Sequence, residues 1–504
     1  MAVTTARAGS ATDAAGNAST GANLTALLRL IPLSSVTGPR ERLIKSVSVD
    51  SREVGPGGLF VAIRGEKADG NRFVDDAVSR GAVAVVSEMP ASDSSATWVQ
   101  TPEPRKVVGV LAAAVQGNPS TKMNLVGVTG TNGKTTTAFL VDGLLDRLAP
   151  PSAMLGTVVR KIGERSEPAR YTTPEAPAIQ KFLAEALASG SGYGVLEVSS
   201  HGLALHRLEG TEFLVTVFTN LSRDHLDFHR DMEDYFRTKR LLFTRYVRAG
   251  ATAVVSIDDA YGERLAAELG TSAVTFGLAA TADLSVSQVE ASLEGIRFQC
   301  REGERTFEIR SPLLGRYNAL NLVAALAAVR ALGFEHEAIV EALETVSGAP
   351  GRFERVLVDR PFDVIVDYAH TDDALRKLLE AARPLTRNQL IVVFGCGGER
   401  DRTKRPLMGD VASRLADRVV LTSDNPRGEN PEAILREIQL GVKEAPVRVE
   451  VDRRKAIELA LGEARPGDVV MIAGKGHEPY QIVGDRVLPF DDREVVREIG
   501  GASP

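Results

Sequence analysis

The sequence predicts an α/β protein of three domains: a smaller N-terminal α/β domain, a central domain on a parallel sheet of the P-loop ATPase kind, and a C-terminal domain with a Rossmann-like sheet. Three observations predict it. The chain has 504 residues, too many for one hydrophobic core and enough for roughly three domains. Apolar strand-like runs alternate with helical stretches, as in a parallel sheet covered on both faces. One of those strands leads into Gly130-Thr-Asn-Gly-Lys-Thr-Thr136 and then into a helix, which is how a phosphate-binding loop is built.

Composition narrows the function classes. The chain is 43% hydrophobic and 25% charged, with a formal net charge of -6. Broad attraction to nucleic acid or an anionic membrane is not expected, so a bound anion must be held by local basic groups and backbone amides. Two cysteines, Cys300 and Cys396, exclude a disulfide framework and CxxC metal spacing, and fit a reducing compartment. Cys396, in a Gly-rich turn, reads as structural. No apolar run reaches the ~18 residues of a membrane span, and a cytoplasmic location is expected.

In chain order, residues 1–22 are mostly Ala, Ser, Thr and Gly and read as a disordered tail. Residues 23–121 form the first domain, with strand runs at Gly58–Ile63 and Ala82–Val86 between Gly-rich turns. Residues 122–348 form the second. Its strands are read at Asn124–Val128, Tyr193–Val198, Phe213–Phe218 and Ala253–Ile257, and a helix through Phe139, Leu140, Leu144 and Leu145 follows the loop. Residues 349–504 form the third, with strands at Phe362–Val366, Leu390–Phe394, Arg418–Leu421 and Asp468–Ile472. A doubly wound sheet places its ligand at the carboxyl ends of such strands.

The chemistry-bearing residues gather in the second domain. Gly130 and Gly133 let backbone amides approach phosphate oxygens, Lys134 can reach the outer phosphates, and the Thr135 hydroxyl can ligate Mg²⁺. Val128 stands where GxxxxGK[ST] has its first Gly. Glu197 ends a strand, a position where α/β enzymes place catalytic groups. His225 lies in a polar loop with Asn220, Asp224 and Asp227, open to a structural or a ligand role. From Asp231 to Val247 the spacing predicts a helix with Tyr235, Lys239, Leu242, Phe243 and Tyr246 on one stripe. A lysine there is ordinarily a snorkelling stem. Desolvated, its amine would have a lowered pKa and could take up CO₂ as a carbamate, an oxygen donor suited to Mg²⁺.

Together these motifs resemble the Mur ligases of peptidoglycan (cell wall) precursor synthesis over nearly the whole chain after the tail. The resemblance is carried by Thr129–Thr136, Glu197-Val-Ser-Ser-His-Gly202, Asn220–Asp227, Asp367-Tyr-Ala-His-Thr371, Phe394–Asp401 and Lys404-Arg-Pro406. Within that family it looks like the MurE type, which adds the third amino acid of the stem peptide, on Asp424-Asn-Pro-Arg427 and Gly474-Lys-Gly-His-Glu478.

The resemblance implies three domains that bind UDP-sugar, ATP and amino acid in chain order. It implies an ATP-dependent ligase that passes through an acyl phosphate, and a monomer whose partners are small molecules. ATP would be held by Gly130, Thr131, Asn132, Gly133, Lys134, Thr135 and Thr136, with Asn321, Arg352, Asp367 and His370 near its adenine and ribose. Two Mg²⁺ ions, in the family's pattern, would be held by Thr135, Glu197, His225 and carbamylated Lys239, the last three also acting with Lys134 in catalysis. UDP-MurNAc-L-Ala-D-Glu would lie on Val49, Ser51, Glu66, Lys67, Ala68, Thr172, Thr173, Ser199 and Arg207; Leu205 stands where a Gln often precedes that Arg. meso-Diaminopimelate would lie on Arg400, Asp424, Asn425, Pro426, Arg427, Gly474 and Glu478. Arg427 decides the amino acid, because its planar fork suits the distal carboxylate that lysine lacks. The alternatives are a lysine-adding enzyme of the same type, a folylpolyglutamate synthase-like ligase, and a nucleotide-gated binding protein without catalysis.

Overall fold

The structure is a computed structural model and describes residues 21–65, 68–92 and 94–501. Residues 1–20 of the expected tail lie outside the described residues, as do Glu66 and Lys67. Ala22, assigned to the tail from sequence, already pairs with Ile44 across a short antiparallel bridge.

The chain divides into two compact units. The smaller comprises residues up to 122 together with 175–185 and 205–211; the larger holds the rest. In the smaller unit the strands Ser46–Ser48, Gly58–Val61, Ala82–Ser87 and Thr97–Gln100 run parallel, and Ser35–Thr37 closes one edge antiparallel. The strand of the run read at 58–63 stops at Val61, yet its residues are all buried. Both faces are covered, one by Leu24, Leu27 and the helix Pro104–Val115, the other by Val74 and Ala77. Gly109 of that helix lies against the Glu209 backbone, where no Cβ fits, so the segment 205–211 packs on it as part of the same unit.

Among the described residues the larger unit carries two large sheets and a two-stranded ribbon, Tyr480–Val483 with Arg486–Pro489. The first has eleven strands. Its centre is parallel: Ser152–Leu155, Tyr193–Glu197, Asn124–Thr129, Phe213–Phe218, Val247–Ser256 and Ala273–Gly277 lie side by side. These strands are Val- and Leu-rich because helices Lys134–Leu148 and Asn318–Ala331 bury one face in a continuous core. The parallel sheet expected from sequence has antiparallel arms at both edges, Val159–Ile162 with Arg165–Pro168 and Gly295–Glu302 with Arg305–Ser311. Burial alternates along Gly295–Glu302, as in a strand with one solvated face, whereas Arg165–Pro168 is exposed throughout.

The second sheet orders Glu354–Val356, Asp363–Asp367, Val469–Ala473, Leu390–Phe394, Arg418–Leu421 and Val447–Val449, parallel except for the first. Helices cover both faces through separate cores. No described helix is long and apolar enough to cross a membrane.

Candidate active site

The loop 130–133 connects the strand Asn124–Thr129 to the helix Lys134–Leu148. Gly130 and Gly133 have φ of 148° and 83°, backbone that side chains rarely tolerate. Space is excluded too: a Cβ on Gly133 would lie 2.5 Å from Asn321 Oδ1, and one on Gly130 would strike the Thr219 hydroxyl. Gly133 caps the helix without a side-chain hydrogen bond, so the first-turn amides through Thr135 and Thr136 remain donors for an anion. The loop is tied to the next strand end: Asn132 N donates to Asn220 Oδ1 at 3.0 Å, and Ser222 N donates to Thr131 Oγ1 at 3.0 Å. Lys134 Nζ folds back on the carbonyls of Gly130 and Thr131 at 2.9 and 2.8 Å. Burial lowers its ammonium pKa, with Glu197 opposing.

Glu197, at the end of its strand, is 1% exposed. The Thr135 hydroxyl donates to its Oε2 at 2.8 Å, Thr157 Oγ1 donates to the same oxygen at 2.9 Å, and Thr157 N donates to Oε1 at 2.8 Å. A buried carboxylate served by neutral donors calls for a cation, so Thr135 and Glu197 fit a hard metal ion. Among the described residues no group of three or more His, Cys, Asp or Glu side chains could hold a metal by itself.

Lys239 lies on the helix Met232–Thr244, capped by Asp231. The helix ends before the predicted Val247, which already belongs to a strand, so Tyr246 lies beyond the stripe although it is buried. Lys239 is 1% exposed. Its Nζ donates to Gly130 O at 2.8 Å and lies 4.7 Å from the Tyr235 ring centroid. Burial lowers its pKa well below the usual lysine value, and the charge of Lys134 adds to this. His225 has a left-handed φ of 52° and its ring is 5.1 Å from that of His201 and 6.0 Å from that of Tyr235. Burial lowers its pKa against the pull of Asp224.

Thr172, Thr173 and Ser199 join the same network. Thr172 and Thr157 share a hydroxyl contact at 3.1 Å, Thr173 Oγ1 donates to Glu197 O at 2.9 Å, and Ser199 N donates to Thr173 Oγ1 at 3.0 Å. The other described residues expected on the sugar side, Val49, Ser51, Ala68 and Arg207, lie in the smaller unit. Ser51 starts a short turn and is buried, Val49 is half-buried, Ala68 O accepts from Gly65 N at 2.9 Å, and Arg207 Nε donates to Glu175 at 3.0 Å.

Asn321 is inside the helix Asn318–Ala331, accepting from the Thr137 hydroxyl at 3.4 Å. Asp367, at a strand end, accepts from the amides of Phe353 and Ala369 at 2.7 and 2.8 Å. Arg352 stacks on Tyr368 at 4.6 Å, and His370 Nδ1 lies 2.8 Å from Tyr368 O.

The residues expected to hold the amino acid converge at the carboxyl ends of strands in the second sheet. Gly397 separates two arginines: a Cβ there would lie 3.1 Å from Arg427 Nη1 and 3.7 Å from Arg400 Cγ. Arg427 has φ of 50°. It is held by Ile482 O accepting from its amide at 3.1 Å and by Nη1 donating to Gly398 O at 2.8 Å. Asp424 lies so close to Gly474 that a Cβ there would meet its Oδ2 at 2.7 Å. Asn425 Nδ2 donates to Glu478 Oε2 at 2.9 Å. Pro426 is buried beside them.

Sequence reasoning passed over Thr157, Lys475 and Arg405. Thr157 follows the short strand Ser152–Leu155, whose end was the available signal. Lys475, fully buried, donates to Asn425 Oδ1 and Glu478 Oε2, each at 3.2 Å; it stands inside a motif already singled out. Cys396 fits its structural reading: it is buried against Met408, and burial pushes its thiol up to about 12.

Three family models match the chain: the Mur ligase family, catalytic domain, over residues 43–122; the Mur ligase middle domain over 128–329; and the Mur ligase, glutamate ligase domain over 351–476. A UDP-N-acetylmuramoyl-L-alanyl-D-glutamate–2,6-diaminopimelate ligase of Solibacter usitatus is 44% identical over 481 residues, covering 93% of this chain and 97% of its own. One of that name from Gloeobacter violaceus is 48% identical over 462 residues, 90% and 93% of the two chains. A solved structure of that name superposes with a TM-score of 0.71 at 35% identity, over 96% of this chain and 99% of the other. With these matches spanning the phosphate loop and both sheets, the chain belongs to the Mur ligase family.

Proposed function

We propose that this chain is the ATP-dependent ligase that joins meso-diaminopimelate to UDP-MurNAc-L-Ala-D-Glu, an amide-forming step of peptidoglycan precursor synthesis. The observation that carries the choice of amino acid is the pair Arg400 and Arg427 flanking Gly397, with the linked Asn425 and Glu478 beside them. Two guanidinium groups suit the two carboxylates of diaminopimelate, and Glu478 suits its distal ammonium. L-Lysine would leave one guanidinium unpaired. Relatives named for this reaction align over nine-tenths of the chain.

In this reading the acceptor's free D-Glu carboxylate attacks the γ-phosphorus of ATP and ADP leaves. Lys134 turns from the loop carbonyls to the transferring phosphoryl group, and the first-turn amides through Thr135 and Thr136 hold its oxygens. Thr135, Glu197, His225 and the carbamate of Lys239 would hold Mg²⁺, which would offset the charge of the phosphates when bound. Burial of Lys239 beside Lys134 favours the neutral amine that CO₂ requires. Asn321, Arg352, Asp367 and His370 hold the nucleoside end. Thr172, Thr173 and Ser199, joined to Glu197, direct the acceptor toward the phosphate loop, while Val49, Ser51, Ala68 and Arg207 hold the rest of it. Asp424, Pro426 and Gly474 shape the amino-acid cleft. The diaminopimelate amine attacks the acyl phosphate, the tetrahedral adduct loses inorganic phosphate, and the amide remains. Residues 23–121, 122–348 and 349–504 are the three substrate domains of this reading, in a cytoplasmic monomer.

The test is phosphate release from ATP and Mg²⁺ with UDP-MurNAc-L-Ala-D-Glu, with and without meso-diaminopimelate. Release dependent on both organic substrates is expected; release that ignores either one sinks the proposal.

A further inference from the structure

Resting on the diaminopimelate reading above, the geometry points to a further positioning residue: Glu429, clamped by Arg405, sets the separation of the two loops that carry Arg400 and Arg427. Arg405 is completely buried on the helix Lys404–Leu415. Its Nη1 and Nη2 donate to Glu429 Oε2 and Oε1 at 2.9 and 3.0 Å, a two-pronged pair, and Nη2 also donates to Gly397 O at 3.3 Å. Glu429 Oε1 accepts from the amide of Glu399 as well. One carboxylate, two residues after Arg427, thereby ties down the backbone one residue before Arg400.

The loops touch so closely that a Cβ on Gly398 would strike Pro426 O, and Gly398 N donates to Asn425 O at 2.9 Å. Glu399 and Arg427 both hold left-handed backbone, with φ of 55° and 50°. Non-glycine residues stay there only where their surroundings hold them. The guanidinium beside it holds the Glu429 carboxyl down at about 2, so the clamp is charged at any working pH. Two carboxylates of one small ligand demand a fixed spacing of their arginines, since bidentate pairs are strongly directional. Glu429 itself need not touch the amino acid.

Removing the Glu429 charge leaves Arg405 paired with Glu437, whose Oε2 accepts at 2.8 Å, so the fold should survive. The experiment is a double-mutant cycle of Glu429→Gln and Arg427→Ala in the full chain, reading KM for meso-diaminopimelate and for ATP. Alone, Glu429→Gln should raise KM for diaminopimelate about 5- to 20-fold and leave KM for ATP within about twofold. In the Arg427→Ala background the same substitution should change KM for diaminopimelate less than about twofold, because coupled residues are non-additive. An equal factor in both backgrounds, a parallel rise in KM for ATP, or no rise at all overturns the clamp. If Arg427→Ala by itself leaves KM for diaminopimelate unchanged, the reading of the site has failed, and the clamp with it.

Discussion

Arg427→Ala should remove most of the discrimination between meso-diaminopimelate and L-lysine. In the structure Nη1 is committed to Gly398 O at 2.8 Å, which orients the guanidinium and leaves its Nε and Nη2 donors to face a carboxylate. Two charge-assisted hydrogen bonds contribute about 1.5–3 kcal/mol each. Arg427 is only half-buried, so solvent screening brings the sum to about 2–4 kcal/mol. At 1.4 kcal/mol per tenfold this is a rise of roughly 30- to 1000-fold in KM for diaminopimelate. L-Lysine has no distal carboxylate and should lose nothing. The assay is phosphate release at saturating ATP and nucleotide dipeptide, with each amino acid varied in turn. A KM for diaminopimelate within about twofold of wild type, or a parallel loss for both amino acids, would refute the reasoning.

Four further outcomes are expected. Lys239→Ala should abolish turnover and regain part of it with added acetate if the lysine works as a carbamate; an intact fold without rescue counts against the carbamate. Gly130→Ala should lower kcat/KM for ATP at least about 100-fold, because a Cβ meets the Thr219 hydroxyl at a φ of 148° and strain of this kind costs about 1–3 kcal/mol before any lost phosphate contact; wild-type kinetics would remove the loop from the ATP site. Asp492→Ala should destabilise the C-terminal sheet by about 3–5 kcal/mol, the cost of stranding a buried charge, because Arg453 and Asp492 pair at 2.7 Å with neither exposed; an unchanged melting transition contradicts this. His477 is held neutral by burial, with its pKa down at about 4. The unfolded chain protonates near 6.5, so His477 costs nothing above that pH, and stability falls as pH drops from about 6.5 toward 4, by up to about 3 kcal/mol. His477→Gln should flatten that part of the pH–stability curve, and an unaltered slope would exclude this source.

Much of the site was legible because its elements announce themselves locally. The strand, the glycines and Lys134 are contiguous, so the phosphate loop could be placed from sequence. Glu197 was found at a strand end for the same reason. The stripe through Tyr235 and Lys239 gave the burial of the lysine, although the helix stops at Thr244 and Tyr246 lies in the bend before the next strand. What was not legible depends on long-range pairing. Thr157 meets Glu197 only because two strands lie side by side. The Arg405–Glu429 pair joins a helix to a loop 24 residues on, and a lone Arg or Glu carries no local mark of its partner. The antiparallel arms of the large sheet escaped notice because their sequences are polar, without the apolar runs that mark its centre.

The most direct test of the account offers equimolar meso-diaminopimelate and L-lysine to the protein with ATP, Mg²⁺ and UDP-MurNAc-L-Ala-D-Glu, and weighs the nucleotide product by mass spectrometry. The account predicts the diaminopimelate adduct almost alone. A product dominated by the lysine adduct, or no adduct of either amino acid, would contradict it.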